Sequence, residues 1–303
     1  MSYTNSTKML TKALKKGYAV GAFNIYNLET ALAVIEASIE TKSDVILQVS
    51  SSAGEYAGFD NLVNLIRPIA EKAPIDICLH LDHGKNYEIC ARAIKAGFSS
   101  VMIDASSLPF DQNVKETKRV VNLARKHNIS VEAEIGELKG VEDEKRSNVS
   151  KFTDASEAES FAQKTGVNSL AIAIGTAHGI NKSSTTPSIH FDIIKEVQTK
   201  MPTLPLVCHG ASMVRKEFVE KFNKFDGEIK KSQGILESDI HQMSVATHIC
   251  KINIDTDIRL CFSSAVKEYL ATNKADFNPR GYLGYAKAQV KEYVKYLQTS
   301  VLK

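Results

Sequence analysis

Short apolar runs alternate with amphipathic stretches along most of the chain. The runs are rich in Val, Ile, Leu and Ala, as is typical of parallel strands that are buried on both faces. They are Ala19–Asn24, Val45–Ser50, Ile77–Asp82, Ser100–Asp104, Ser130–Glu134, Leu170–Ile174, Leu204–His209 and Cys250–Asn253. Eight strands that alternate with helices predict an α/β fold, a (β/α)8 TIM barrel in one domain, 1–303, with a Rossmann-like open sheet as the alternative.

Helical periodicity separates the predicted strands. Apolar helix faces are formed by Leu28, Leu32, Ile35 and Ile39, by Ile193, Ile194 and Val197, and by Phe262, Val266, Tyr269 and Leu270. A last helix is predicted after Pro279, so extra helices are expected near the C-terminus. Two connections are long and polar: Glu137–Asp154 follows the fifth strand, and Asn223–Gln233 follows the seventh. Such loops in a compact domain are often lids or binding loops.

Charge and composition argue against nucleic acids and membranes as partners. A net charge of +3 over 303 residues is too weak to indicate nucleic-acid binding, and no apolar run approaches the ~20 residues that span a bilayer. The N-terminal segment lacks an apolar core and a small-residue cleavage pattern, so no signal peptide is expected.

The five cysteines include no CxxC pair. Reduced, packed thiols in a cytoplasmic protein are therefore expected.

Histidines follow three of the predicted strands. His83, His178 and His209 come at the ends of the third, sixth and seventh strands, and the chemistry of a TIM barrel is located at the carboxyl ends of its strands. Three imidazoles at one rim can hold a catalytic Zn²⁺ and leave a position open for substrate. The alternative is that each histidine is a satisfied polar residue. Strand alternation places His80 on the same side as Asp82, so His80 is interpreted as a supporting or core residue.

Glycine-containing turns follow the last three predicted strands. They include Gly179 with Lys182, Gly210 with Ser212, and Thr256. Backbone N–H groups, hydroxyls and an ammonium group of this kind can bind a phosphate, especially where a helix begins. Each turn alone is also an ordinary helix cap, but together they indicate a phosphate site.

Eight motifs together carry a resemblance to one family. They are YAVGAFNIYNLE near the start, HLDHG at 80–84, VMIDAS at 101–106, VEAEIG at 131–136, AIGTAHG at 173–179, CHGAS at 208–212, CKINIDTD at 250–257 and FNPRGYLG at 277–284. The chain resembles the class II fructose-bisphosphate aldolases, with their tagatose-bisphosphate relatives, from about residue 8 to 295. The resemblance implies a zinc-dependent lyase of glycolysis that cleaves fructose 1,6-bisphosphate reversibly into dihydroxyacetone phosphate and glyceraldehyde 3-phosphate.

The resemblance also implies roles for individual residues. The zinc ligands would be His83, His178 and His209, and the positions that can hold zinc in an alternative location would be Asp104 and Glu134. Asp82 matches the acid/base group that exchanges a proton with the C4 hydroxyl. Glu142 matches a glutamate proposed to move a proton on the dihydroxyacetone-phosphate carbon.

The implied substrate contacts form two sets. The contacts on the ketose side are Asn24, Ser50, Gly179, Lys182, Gly210, Ser212, Asn253, Asp255 and Thr256. The distal phosphate would be bound by Arg259 and by Arg280, which is expected to reach in from a partner subunit. A homodimer or homotetramer is therefore implied, and a monovalent cation near the phosphate is a further property of the family.

The sequence departs from the family pattern near these residues. Met213 replaces a common glycine, which is expected to alter packing beside the phosphate site; Lys139 replaces the first glycine of a pair before Glu142, and Asn181 replaces a tyrosine. A tagatose 1,6-bisphosphate aldolase is the alternative function, although NIDTD at 253–257 favours the fructose enzyme. A zinc hydrolase and a sugar-phosphate binder without activity are further alternatives. The ion could also be Co²⁺ or Fe²⁺ in place of zinc, since imidazole ligands suit several metal ions.

Overall fold

Eight parallel strands close into a barrel in the computed structural model, as the alternation of elements predicts. Residues 2–137, 139–142, 145–147, 151–179, 187–230 and 232–303 are described, with the backbone alone for 139–142, 145–147 and 178. The barrel strands are β1 (Val20–Asn24), β2 (Val45–Ser50), β3 (Ile77–Gly84), β4 (Ser100–Ile103), β5 (Ser130–Ile135), β8 (Ser169–Ile172), β10 (Leu206–Cys208) and β11 (Ile249–Ile254). Since β1 pairs with both β2 and β11, the open-sheet alternative is excluded.

Helices cover the outside of the barrel. In chain order they are α1 (Ser6–Lys16), α2 (Leu28–Thr41), α3 (Ser51–Ala57), α4 (Phe59–Ala70), α5 (Tyr87–Ala96), α6 (Phe110–Arg125), α7 (Ala155–Thr165), α8 (Phe191–Lys200), α9 (Lys216–Lys224), α10 (Glu237–Ala246), α11 (Thr256–Thr272) and α12 (Pro279–Tyr296). The helix predicted after Pro279 is thus confirmed. Leu28 and Leu270 are 42% and 44% exposed, so the predicted apolar faces of α2 and α11 are buried only in part.

The predicted polar loop after β5 contains regular structure. Lys139–Glu142 (β6) and Lys145–Ser147 (β7) form an antiparallel hairpin. Ala177–His178 (β9) pairs with β6 in parallel and completes a three-stranded sheet. The long polar connection predicted from Glu137 to Asp154 thus includes this hairpin. This small sheet connects the segments that follow β5 and β8.

The inside of the barrel has an apolar floor and polar upper layers. Helix α1 contributes Met9 and Leu10 to a buried cluster with Val20, Ile46 and Cys78. Toward the carboxyl ends of the strands the buried residues become polar and charged: Asn24, Gln48, His80, Asp82, Glu132, Lys251 and Asn253. TIM barrels usually fill this space with branched apolar residues, so the polar layers indicate the position of a site.

The C-terminal segment packs beside the start of β1. After α12 a short π-helical stretch, Leu297–Val301, leads to the buried Leu302. The Leu302 carbonyl accepts a hydrogen bond from the Ala19 N–H at 3.1 Å, and Gln298 Nε2 donates to Ser38 Oγ at 2.8 Å.

All five cysteines are buried and free, which confirms the prediction of packed thiols. No described helix is long and apolar enough to cross a membrane.

Candidate active site

An irregular strand end directs His83 into the barrel mouth. The register between β3 and β4 shifts between Leu81 and Gly84, and His83 adopts a left-handed φ of 47°. A non-glycine residue in this region is strained, and such strain is concentrated at functional sites. Bulges of this kind re-aim side chains at barrel rims. The irregular end of β3 therefore determines where the His83 side chain lies.

Gly84 allows this geometry because no side chain fits at its position. A Cβ atom there would lie 2.5 Å from the Met102 carbonyl oxygen and 2.6 Å from Cys90 Sγ. The Gly84 carbonyl also accepts a hydrogen bond from the Asp104 N–H at 2.9 Å. Gly84 thus fixes His83 and Asp104 relative to each other.

His209 lies just beyond β10 and is fully buried. The next residue, Gly210, has a φ of 62°, and a Cβ atom there would lie 2.6 Å from the Ala177 carbonyl oxygen. This close approach brings the backbone of β9, which contains His178, against the His209–Gly210 turn. The side chain of His178 lies outside the described part of the chain.

The two described histidines of the predicted set face each other. His83 Nε2 lies 2.8 Å from His209 Nδ1. The second nitrogen of each ring is bound by a carboxylate: His83 Nδ1 lies 3.0 Å from Asp104 Oδ2, and His209 Nε2 lies 2.8 Å from Glu132 Oε1. Carboxylates in this outer position orient the imidazoles that bind metals. The arrangement therefore directs two ring nitrogens at one point.

Carboxylates complete the groups that could hold a metal ion. Potential ligand atoms of Asp82, His83 and His209 lie within 4.8 Å of one another, and so do those of His83, Asp104 and Glu134. Burial lowers the pKa of His209 despite the opposing hydrogen bond with Glu132, and the neutral ring is the form that binds a metal. Mixed nitrogen and oxygen donors of this kind suit zinc, so the described residues fit a zinc-type divalent ion.

Asp82 is held in place by two amides. Asn24 Nδ2 donates to Asp82 Oδ2 at 3.0 Å, and Asn253 Nδ2 donates to Asp82 Oδ1 at 3.3 Å. Gln48 Nε2 in turn donates to Asn24 Oδ1 at 2.9 Å. Asp82 is buried, and one of its oxygens lies 4.0 Å from His83 Nε2. The carboxylate thus has a fixed orientation beside the facing histidines.

The turn after β10 packs against the start of α11. Ser212 Oγ accepts hydrogen bonds from the N–H groups of Asp255 and Thr256 at 3.3 and 3.1 Å. The buried Asp257 accepts from the Met213 N–H at 2.7 Å, so the departure at Met213 leaves this turn anchored through the backbone. Helix α11 begins at Thr256, and the N-terminus of a helix favours an anion.

Arg259 extends from the first turns of α11 toward solvent. Its guanidinium donates to Asp255 Oδ1 at 2.9 Å and to the Tyr26 hydroxyl at 2.7 Å. Tyr26 also forms a short hydrogen bond with Asp255. Burial raises the pKa of Asp255, although Arg259 opposes this. Arg259 is 48% exposed, so it is accessible to an anionic ligand.

The remaining predicted residues are placed as follows. Ser50 is buried and caps α3 by accepting from the Ala53 N–H at 3.3 Å. Gly179 follows β9 with a φ of 85°. Arg280 is exposed in the first turn of α12, where its N–H donates to Asn278 Oδ1. Lys182 lies outside the described residues. The backbone of Glu142 ends β6, and its side chain lies outside the described part of the chain.

Some residues that support the site were not predicted from the sequence. Gln48 and Lys251 lie between apolar neighbours in β2 and β11, and Tyr26 lies in the turn after β1. A charged residue inside a buried strand was the available signal, because such a residue is rarely buried unless it is paired. His80 is confirmed as a core histidine: it is buried, and its Nδ1 lies 2.8 Å from Ser100 Oγ.

Comparison with known proteins agrees with this geometry. The profile of the family described as fructose-bisphosphate aldolase class-II matches residues 4–301. The chain belongs to the class II fructose-bisphosphate aldolase family.

Similar proteins of this family cover the chain almost completely. The fructose-bisphosphate aldolase of Treponema pallidum (strain Nichols) is 40% identical over 100% of this chain and 96% of its own length. That of Thermus caldophilus is 44% identical over 95% of this chain and 94% of its own. Among solved structures, the YdjI aldolase of Escherichia coli K12 superposes with a TM-score of 0.79 at 29% identity, covering 99% of this chain and 98% of that one. Membership of the family thus rests on the whole barrel and not on isolated motifs.

Proposed function

We propose that this protein is a metal-dependent fructose-bisphosphate aldolase that cleaves fructose 1,6-bisphosphate reversibly into dihydroxyacetone phosphate and glyceraldehyde 3-phosphate. The observation that supports this best is that a candidate metal site and a candidate proton acceptor lie side by side in the mouth of the barrel. His83 Nε2 and His209 Nδ1 face each other at 2.8 Å, and the oriented carboxylate of Asp82 lies beside them. A metal-assisted cleavage of a carbon–carbon bond needs both an electron sink and a proton acceptor.

In this proposal zinc is held by His83, His178 and His209. Asp104 and Glu134 would provide the alternative metal position, since their carboxylate oxygens lie near His83. When bound, the ion would polarise the substrate carbonyl and stabilise the negative charge that develops on cleavage. This chemistry removes the need for a Schiff-base lysine.

Asp82 accepts the proton of the C4 hydroxyl during cleavage and returns it in the condensation direction. The amides of Asn24 and Asn253 hold both of its oxygens, so the carboxylate does not have to reorient for each turnover. General-base catalysis of this kind contributes typically ~10²- to 10⁴-fold. Glu142 is assigned the proton on the dihydroxyacetone-phosphate carbon.

The phosphates are bound at the two sides of the mouth. On the ketose side the contacts are Asn24, Ser50, Gly179, Lys182, Gly210, Ser212, Asn253, Asp255 and Thr256. The support for this side is the start of α11, a helix N-terminus that favours an anion and that packs against the Ser212 hydroxyl. Arg259 takes the distal phosphate together with Arg280 of a second subunit in a homodimer or homotetramer. A monovalent cation belongs near the first phosphate.

The test measures triose-phosphate formation from fructose 1,6-bisphosphate and from tagatose 1,6-bisphosphate. Each reaction is run on the untreated protein, after chelation, and after zinc is added back. Activity on the fructose substrate that is lost and then restored supports the proposal. Cleavage that survives metal removal would overturn the metal-dependent mechanism. Faster cleavage of tagatose 1,6-bisphosphate would overturn the assignment of fructose 1,6-bisphosphate as the substrate. Binding of both sugars without cleavage would overturn the enzymatic function.

A further inference from the structure

A charged pair is buried inside the barrel below the candidate metal site. The side chains of Lys251 and Glu132 are 0% and 2% exposed. Lys251 Nζ lies 2.9 Å from Glu132 Oε2 and 3.1 Å from Glu132 Oε1. A buried ion pair adds little to stability, because the lost hydration of both charges offsets their attraction. The pair therefore requires another explanation.

The pair is connected directly to His209. Glu132 Oε1, which lies 3.1 Å from Lys251 Nζ, also lies 2.8 Å from His209 Nε2. A carboxylate oxygen accepts hydrogen bonds, so His209 Nε2 carries the proton and Nδ1 is the unprotonated nitrogen. Nδ1 is the atom that faces His83 Nε2. The carboxylate of Glu132 thus selects the ring nitrogen of His209 that is available to a metal.

His80 limits where the Lys251 ammonium can lie. Lys251 Nζ lies 3.4 Å from His80 Nε2, and His80 Nδ1 lies 2.8 Å from Ser100 Oγ. Lysine can only donate, so His80 Nε2 is the acceptor and Nδ1 donates to Ser100. The ammonium group of Lys251 on β11 is therefore held between the imidazole of His80 on β3 and the carboxylate of Glu132 on β5.

We propose that Lys251 is a positioning residue for the metal centre, which holds the Glu132 carboxylate where it orients His209 with Nδ1 toward the metal. The proposal rests on the proposed function, since it assumes that His209 binds a metal. Lys251 does not act as a nucleophile: it is fully buried and its ammonium is bound by Glu132. It acts through two other residues and touches neither metal nor substrate.

The first test compares Lys251→Met with Lys221→Met. Lys221 forms a half-buried ion pair with Glu268 at 3.0 Å, which makes it a matched control outside the barrel. The zinc Kd of each protein is measured by competition with a chelator, without substrate. Loss of a residue that supports a metal ligand typically weakens binding ~10- to 100-fold, so Lys251→Met is expected to raise Kd by that factor and Lys221→Met to leave it unchanged.

A spectroscopic measurement separates positioning from general instability. Co²⁺ replaces zinc, and its absorption reports the geometry of its ligands. Lys251→Met is expected to alter this spectrum while its urea-unfolding curve remains cooperative. The double variant Lys251→Met/Glu132→Gln removes both charges and retains a carbonyl that accepts from His209. It is expected to recover part of the zinc affinity, and it serves as the test if the single variant does not fold.

The outcomes distinguish the two proposals. An unchanged zinc Kd and cobalt spectrum in a folded Lys251→Met would show that Lys251 is only structural. If that variant does not fold, a double variant with the full zinc affinity and cobalt spectrum of the wild type would show the same, since only part of the affinity is expected to return. If the wild-type protein binds zinc but cleaves neither bisphosphate, the proposed function fails, and the ratio of Kd values still decides the role of Lys251. A wild-type protein that binds no zinc overturns both.

Discussion

Gly84→Ala tests whether the packing at the end of β3 determines the position of the metal ligands. The added Cβ would lie 2.5 Å from the Met102 carbonyl oxygen and 2.6 Å from Cys90 Sγ, whereas Cβ contacts under 3.0 Å are essentially never observed. The Met102 oxygen belongs to the backbone of β4, so the strands must separate by about half an ångström. Overpacking of this kind costs typically ~1–3 kcal/mol.

The displacement should also reach the site. Gly84 follows His83 directly, and its carbonyl accepts the Asp104 N–H at 2.9 Å, so the two partners in the His83–Asp104 contact move apart. We expect a lower midpoint of urea unfolding and a weaker affinity for zinc in the same variant. The matched control is Gly284→Ala on α12, where an added Cβ meets no atom within 4 Å. Removing a glycine from a helix stabilises it by up to ~1 kcal/mol.

The measurements are urea unfolding followed by circular dichroism and zinc competition with a chelator. A Gly84→Ala protein as stable as Gly284→Ala, with the zinc affinity of the wild type, would refute the steric argument. Loss of stability without loss of zinc affinity would show that the bulge is not what positions His83.

Three further predictions concern single residues of the site and the surface. Asp82→Asn is expected to lower kcat by ~10²- to 10⁴-fold with little change in zinc affinity; steady-state kinetics with an unchanged kcat would remove Asp82 from the chemistry. Arg259→Met is expected to raise KM for the bisphosphate by about tenfold or more, since a hydrogen bond to a charged group contributes ~1.5–3 kcal/mol, whereas Arg92→Met, which breaks an exposed ion pair, should have no effect. Burial raises the pKa of Glu268, but the hydrogen bonds to Lys221 and Tyr285, together with the charges of Lys221 and Lys224, outweigh it and lower the pKa below its ordinary 4.5. The ionised pair is therefore stabilising above about pH 4.5 and lost as the pH falls further. Glu268→Gln should be less stable than the wild type at pH 7 by less than ~1 kcal/mol, and urea curves at pH 4 and below should show that difference shrinking.

The barrel could be predicted because its strands are continuous apolar runs. Val45–Ser50 matches β2 at both ends, and a parallel strand buried on both faces leaves this pattern wherever it occurs. The strands β6 and β7 left no such signal, since they are short and rich in lysine, glutamate and arginine. The pairing of β6 with Ala177–His178 depends on a contact between distant segments that no local pattern encodes.

The polar residues of the site could be placed on one rim, but their supporting contacts could not. The motif residues Asp82 and His83 lie at the end of β3, His209 directly follows β10, and the fold brings strand ends together. The irregular register that turns His83 inward depends on the packing of Gly84 against β4. Lys251 and Glu132 are far apart in sequence, so their ion pair appears only once the barrel is closed.

The contact between Ala19 and Leu302 has a consequence for synthesis of the chain on the ribosome. Strand β1 pairs with β11, and the Ala19 N–H just before it is bound by the Leu302 carbonyl. The edge of β1 that faces β2 can pair early, but its other edge stays unpaired until β11 has been translated. Until then its unpaired edge is exposed to other nascent chains, which is the condition under which strands associate wrongly. We therefore expect the barrel to close more slowly than a protein of similar stability that is built from local contacts.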